Sequence, residues 1–248
     1  MIDTRYREAR KMALDIASSF GDPLFYREQE AACSRSCRHF EENDTVGSCL
    51  RLLEGRETFG GHGVVHAKKV AIDAGAIIIV EGQNRLPEPE LTRLVFLAHL
   101  AGLLHDIARS QKNHAHRGAL EARNVLAGLD LPEHEILIVT EAIRNHEAFR
   151  PCRSLANPAA QLLSDALYDA DKFRWGPDNF TEMLWDMLSL RPLSLPRVME
   201  RFLPGLEGVE KIRDTFRSAT GKTYGPDFID RGVGIGRRLY KELAHIRD

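Results

Sequence analysis

The sequence has few cysteines and no long apolar run, and each absence excludes a class of protein. Only four of the 248 residues are cysteine, which argues against the disulfide scaffold of a secreted protein and favours a reducing, cytoplasmic location. The longest apolar run, residues 74–80, is too short to cross a bilayer. The first residues are charged and amphipathic instead of basic and then apolar, so we expect no signal peptide and no membrane partner.

An excess of charge of one sign is also missing. Thirty-four Lys and Arg residues face 36 Asp and Glu residues, for a formal net charge of −2. Nucleic acid is therefore not an expected partner. Apolar residues make up 43% of the chain, enough for a sizeable core, and the length fits one large domain or a domain with an appendage.

Helical periodicity dominates the apolar pattern. Leu94, Leu97, Ala101 and Leu104 recur at steps of three and four residues, which predicts a buried stripe on a helix over 89–109. No convincing strand pattern accompanies it, and the sequence predicts an all-α fold. Further helices are predicted over 3–20, 64–80, 116–129, 132–145, 158–173 and 227–245. The glycines at 232, 234 and 236 resemble a phosphate loop superficially and are interpreted as a turn beside a helix.

The predicted central helix carries two ionisable residues, His105 and Asp106, at its end. His105 lies one turn after Ala101 and so continues the inward face. Buried ionisable groups are costly unless they are paired. Imidazole and carboxylate are both good ligands for a divalent cation, which would pair with both.

Two more potential ligands lie in separate segments, His66 before the pair and Asp171 after it, the latter followed by Lys172. The order His, His-Asp, Asp, each in a helical context, resembles the HD-domain metal-dependent phosphohydrolases over about residues 58–175. The resemblance implies an HD-domain-like helical bundle with extra N- and C-terminal helices. The expected divisions are an N-terminal extension (1–55), the HD core (56–176) and a C-terminal extension (177–248) packed on the core. Asp169 is a second-ranked alternative to Asp171.

Two further histidines make the resemblance closer to the binuclear branch of that family. His116, in a His-x-Gly-Ala segment, and His146 match its additional ligands, with His114 as a competitor for His116. The resemblance then implies one or two divalent ions (Mn²⁺, Fe²⁺, Mg²⁺, Co²⁺ or Zn²⁺), with Asp106 as the bridging ligand and a metal-bound hydroxide as nucleophile.

Basic residues near these ligands are candidates for contacts with a phosphorylated substrate, most plausibly a nucleotide. Arg109 and Lys172 are assigned to catalysis together with Asp106. The candidates for substrate binding are Lys112, Arg117, His62 and Lys69, and Asn145 is a weaker candidate for a supporting role.

Other interpretations remain open at this point. The same ligands would serve a binuclear-iron oxygenase, or the domain would be a non-catalytic nucleotide-sensing module. A homodimer is possible. A second metal site is conceivable from Cys33, Cys37, His39 and Cys49, but their spacing matches no common zinc motif, which favours free cysteines.

Overall fold

The computed structural model describes residues 4–55, 63–190 and 193–245. Within these residues the fold is all-α, as predicted, and no strand is present. The helices are α1 (Thr4–Ser18), α2 (Leu24–Glu28), α3 (Glu30–Glu42), α4 (Asp44–Glu54), α5 (Val64–Gly82), α6 (Glu88–Leu104), α7 (His114–Ala127), α8 (Glu133–Asn145), α9 (Pro158–Phe173), α10 (Leu184–Leu190), α11 (Leu195–Glu210) and α12 (Ala219–His245). A short π-helix, Asn179–Met183, precedes α10, and a 3₁₀ turn, Lys211–Asp214, follows α11.

The centre of the fold is the pair α5 and α6, which is buried along most of its length. The two helices approach closely at Gly102, where an added Cβ would lie 2.3 Å from the Cα of Ala71. Only glycine allows this backbone approach, because any larger side chain would overlap Ala71. Helix α9 packs against both of them, and α8 packs against α6 and α9, so the ends of four helices meet near the C-terminus of α6.

The terminal helices cover this centre from outside. Helix α3 packs against α5, and α4 packs against α6. At the other end of the chain, α12 packs against α11, α1 and α9. Phe173 of α9 stacks on Phe228 of α12, with ring centroids 4.1 Å apart, which ties the C-terminal helix to the helix that carries Asp171.

The central helix ends earlier than its apolar pattern predicts, at Leu104. The following residues form tight turns in which amides bond to the third residue before them, as Ile107 N does to the Leu104 carbonyl at 3.1 Å. Nδ1 of His105 also bonds to a carbonyl three residues back, that of Gly102, at 2.7 Å. The α-helical bonding pattern thus ends at the position where His105 and Asp106 meet the neighbouring helices.

The interpretation of the glycine run as a turn is wrong. Helix α12 begins at Ala219, eight residues before the predicted start, and Gly232, Gly234 and Gly236 lie inside it. An added Cβ on Gly232 would lie 2.8 Å from the backbone of Gly176. The glycines therefore permit close packing of α12, and a local sequence pattern cannot reveal such a distant contact.

A helix that crosses a bilayer is long and predominantly apolar. Within the described ranges, no helix combines the length and the apolar character that a bilayer crossing needs.

Candidate metal centre

Four segments that are far apart in sequence bring their ionisable side chains together beside the end of α6. His66 lies in the first turn of α5, His105 and Asp106 directly follow α6, and Asp171 lies in the last turn of α9. His146 immediately follows α8. All five side chains are at least nine-tenths buried.

The first donor group consists of His66, His105 and Asp171. Nε2 of His66 lies 3.2 Å from Nε2 of His105 and 3.4 Å from Oδ1 of Asp171. Nε2 of His105 lies 3.7 Å from the same oxygen. With metal–ligand bonds of ~2.1 Å, adjacent ligands are about 3.0 Å apart in an octahedron and about 3.4 Å apart in a tetrahedron. The three donor atoms thus have the mutual spacing of ligands around one small cation.

The second donor group consists of His105, Asp106 and His146. Oδ2 of Asp106 lies 3.4 Å from Nε2 of His105, whereas Oδ1 lies 3.4 Å from Nε2 of His146. Nε2 of His114 is 3.7 Å from that Oδ1, and the ring of His114 packs against His146 with centroids 5.2 Å apart. The two oxygens of Asp106 therefore face different histidines, which is the arrangement that a carboxylate bridging two ions requires.

Backbone carbonyls fix the orientation of two of these imidazoles. Nδ1 of His105 donates to Gly102 O at 2.7 Å, and Nδ1 of His146 donates to Ile143 O at 2.6 Å. With the proton on Nδ1, Nε2 carries the lone pair, which faces the cluster. Nε2 of His146 is buried without a hydrogen-bond partner among the described residues. Metal-binding histidines use the same support, donating the second ring N–H to a carbonyl.

The charges in the cluster perturb its own pKa values. Burial raises the pKa of Asp171, but Lys172 and the imidazoles of His105 and His66 outweigh burial and hold it well below its usual range. Burial lowers the pKa of His105, but the carboxylates of Asp106 and Asp171 reverse this effect and raise it to about 10. The carboxylates thus attract positive charge to this point, and a proton on His105 supplies it where no cation does.

His114 differs from His105 in its protonation. Burial, the neighbouring His146 and Arg109 lower its pKa to about 4, although Asp106 opposes the shift. His114 is therefore neutral near pH 7, and the lone pair on its Nε2 accepts a hydrogen bond from Arg109. Nη1 of Arg109 lies 2.8 Å from Nε2 of His114 and 3.7 Å from Oδ1 of Asp106, so this cation lies beside the second donor group.

The side chain of Lys172 is too deeply buried to contact a substrate in this structure. Its side chain is buried, and its ammonium group forms an ion pair with Oδ2 of Asp171 and lies 5.0 Å from the ring centre of Tyr168. The pair leaves Oδ1 of Asp171 facing His66 and His105. In this structure Lys172 orients and neutralises the carboxylate.

The other predicted residues that the structure describes belong to neither donor group. His116, Lys112 and Arg117 are exposed on and before the start of α7, and His116 belongs to neither donor group. His114, the alternative to His116, is likewise outside both groups, although its Nε2 lies 3.7 Å from Oδ1 of Asp106. His62 lies outside the described residues. Lys69 forms ion pairs with Asp178 at 3.3 Å and with Glu182 at 2.7 Å.

Asp169 and Asp171, the two alternatives on α9, face opposite ways. Asp169 accepts hydrogen bonds from the backbone amides of Arg217 and Ser218, both at 2.8 Å, and burial raises its pKa to about 6. Asp169 thus fixes the start of α12, while Asp171 belongs to the first donor group.

Sequence reasoning missed a buried ion-pair network beside His66. Arg174 bonds to Asp73, Asp178 and the hydroxyl of Tyr26. Tyr26 O–H donates to Asp73 at 2.8 Å. The network links α2, α5 and the end of α9. A buried Asp inside the apolar pattern of α5 was the one sequence signal for it, and that signal names no partner.

A second set of hydrogen bonds holds Asn145, the residue before His146. Nδ2 of Asn145 donates to the carbonyl of Arg153 at 2.9 Å and to Oγ of Ser164 at 3.1 Å. Arg217, from the segment before α12, donates to the carbonyl of Asn145 at 2.8 Å. Asn145 was a weak candidate in the sequence, and Arg217 was not a candidate because its partner is 72 positions away.

The cysteines form no second metal centre in the part of the chain that the structure describes. None of the four predicted ligands of such a site belongs to a group of converging ligands, and these are Cys33, Cys37, His39 and Cys49. Burial raises the pKa of Cys33 to about 12, with a further contribution from Asp73, so this thiol stays protonated.

No protein-family model, no curated protein and no solved structure matches the chain.

Proposed function

We propose that this protein is a metal-dependent phosphohydrolase of the HD-domain type, acting on a phosphate ester. One observation carries the proposal. His105 belongs to two groups of buried imidazole and carboxylate donors, and the two oxygens of Asp106 face different histidines, Oδ2 facing His105 and Oδ1 facing His146. Donors of this kind, at this spacing and with fixed tautomers, fit first-row divalent cations. The ordered His, His-Asp, Asp pattern supports the family assignment.

In this proposal His66, His105, Asp171 and one oxygen of Asp106 would hold one cation, and the other oxygen of Asp106, with His146 and His114, would hold a second. A pair of cations in such a site polarises a phosphoryl oxygen and lowers the pKa of a coordinated water. Lys172 keeps Asp171 ionised and oriented. Asp106 would contribute one oxygen to each cation and so fix the distance between them.

Arg109 is the cation best placed to contact a substrate phosphate. Its side chain is about one third exposed, and it already lies beside Asp106 and His114. Lys112 and Arg117 are exposed in the same stretch of chain and would extend this positive surface. The cavity of about 450 Å³ on the other side, at His66, is less suited to a polyanion. Its lining includes three cationic side chains and three carboxylates, so it has no excess of positive charge. The cations are Arg10, Lys69 and Arg174, and the carboxylates are Asp178, Glu182 and Asp186.

The test is hydrolysis of p-nitrophenyl phosphate, bis(p-nitrophenyl) phosphate and a nucleotide panel with Mn²⁺, Fe²⁺, Co²⁺ or Mg²⁺. Asp106→Asn keeps the side-chain size and removes the bridging charge, so we expect a loss of at least about a hundredfold. Asp130→Asn is the matched control, because Asp130 is exposed in the turn after α7. Equal activity of wild type and Asp106→Asn would refute the proposal.

The same experiment separates the alternatives. Oxygen uptake by the iron-loaded protein, without release of phosphate from any ester, would favour an oxygenase. Tight nucleotide binding without turnover would favour a sensing module. Both outcomes would leave the metal centre in place and overturn the hydrolase assignment.

A further inference from the structure

A second cavity lies away from the metal centre, between the segment around the π-helix and α11. Its volume is about 490 Å³, within the range of small-molecule sites, ~300–1,000 Å³. Its walls are apolar and include Trp175, Phe180, Met187 and Phe202. Asn179 and Arg201 are the two polar residues among its lining side chains, and Arg201 is the charged one.

Arg201 is exposed and makes no hydrogen bond or ion pair with any described residue. On α12, Arg231 pairs with Asp227 at 2.8 Å and Arg237 pairs with Glu210. Arg197, one turn before Arg201 on α11, also has no partner among the described residues, but it does not line the cavity. An unpaired guanidinium at the edge of an apolar cavity is suited to a ligand with one anionic end and an apolar body.

The cavity opens to solvent beside α11. Gly205, one helical turn after Arg201 on the same face, lines the cavity and is exposed, and an added Cβ there would meet no atom within 4 Å. Met183 and Met187 line the opposite wall, and methionine side chains adapt to ligands of varied shape. A flexible chain that starts at Arg201 and continues past Gly205 would thus contact apolar atoms along its length.

We propose that this cavity binds a single-chain amphiphile with a terminal anionic group, which Arg201 recognises. The apolar chain enters between α11 and the segment that holds the π-helix. Met183 also lines the cavity at His66, so the bound chain would lie one side chain away from the cavity beside the metal centre. The site is independent of the proposed hydrolase activity, since it contains none of the metal-donor residues.

Tryptophan fluorescence provides a direct assay. The chain has two tryptophans, of which Trp175 lines the cavity and Trp185 is buried with its Nε1–H on the Phe180 carbonyl at 2.6 Å. Metal-free protein is titrated with octanoate, decanoate and dodecanoate below their micelle concentrations. We expect a saturable change in emission and a Kd that falls about fourfold for each added methylene.

Three variants test the assignment of the site. Arg201→Gln should weaken decanoate binding about tenfold and leave binding of decanol unchanged. Gly205→Leu should abolish binding because it fills the cavity. Gly208→Leu is the matched control, because it lies on the same helix, has the same free space around its Cβ and does not line the cavity.

Several results would overturn the proposal. These are the absence of a saturable signal in wild type, equal weakening by the two glycine variants, or equal decanoate affinity in wild type and Arg201→Gln. Light scattering adds one more outcome. A wild-type dimer that Gly205→Leu dissociates would show that a second copy of the chain covers the cavity.

Discussion

His114 and His116 are two residues apart on α7, and we predict that only the former supports metal binding. His114→Gln removes an imidazole whose Nε2 is 3.7 Å from Asp106 and whose ring packs against His146. His116→Gln makes the same chemical change at an exposed position. The pair of variants therefore separates ligation from helix propensity and surface charge.

The magnitude follows from the position of His114 beside the second donor group, 3.7 Å from Oδ1 of Asp106. Loss of a residue that merely orients a ligand costs about 10- to 100-fold in metal affinity, or about 1.4–2.7 kcal/mol. Loss of the ligand itself should cost at least as much. The group of His66, His105 and Asp171 does not include His114, so the first cation should remain. His116→Gln should change either affinity less than twofold.

The assay is titration with Mn²⁺ followed by the resonance of the free ion, with stoichiometry checked by elemental analysis. Wild type and His116→Gln should bind two ions, and His114→Gln should bind one. Since the pKa of His114 is lowered to about 4, it stays neutral above about pH 5, and the difference should persist there. A second ion that is lost in His116→Gln and kept in His114→Gln would refute the reasoning.

Three further predictions concern protonation, the buried network and packing. Because the carboxylates beside His105 raise its pKa to about 10, a cation must displace its proton. Affinity for the first cation should thus rise about tenfold per pH unit between about pH 7.5 and 9, with about one proton released as that cation binds, measured by calorimetry in two buffers. Asp73→Asn should destabilise the protein by about 1–3 kcal/mol in urea unfolding, because it removes one of the two carboxylates that pair with buried Arg174 and leaves Asp178 as the other. Equal free energies of unfolding for wild type and Asp73→Asn would contradict this. Gly102→Ala should lower the Tm through overlap with α5, whereas Gly205→Ala should leave it unchanged or raise it.

The helical core could be predicted from sequence because its apolar residues recur with the period of a helix. Helix α9 has the predicted bounds, and α5 begins at the predicted residue. The end of α6 could not be predicted in this way. The apolar stripe continues past Leu104, but the bond from His105 to the Gly102 carbonyl and the following tight turns end the helix.

At the candidate site, the sequence also did not decide between the two members of two residue pairs, His114 and His116 on α7 and Asp169 and Asp171 on α9. Residues two apart on a helix point about 200° apart, so one of each pair faces the cluster. His114 shares its face with Gly118, whose added Cβ would lie 3.2 Å from the carbonyl of His105. His116 shares its face with Leu120, which is 49% exposed. Gly118, one turn after His114, therefore indicates the buried face in the sequence itself, but it is not a metal ligand and so lies outside a comparison of ligand residues.

Contacts between distant segments were beyond sequence reasoning. Arg174 gains its role from Asp73, 101 positions away, and Arg217 from Asn145, 72 positions away. Neither pair lies in a motif. Their partners are defined only when α9 and α12 pack against the central helices.

The central claim is that the buried imidazoles and carboxylates hold divalent cations. Anomalous diffraction from crystals grown with Mn²⁺ tests this claim most directly. The account predicts two peaks about 3.5–4 Å apart, one among His66, His105 and Asp171 and the other beside Asp106, His114 and His146. A map with no anomalous peak within bonding distance of Asp106 at saturating Mn²⁺ would contradict it.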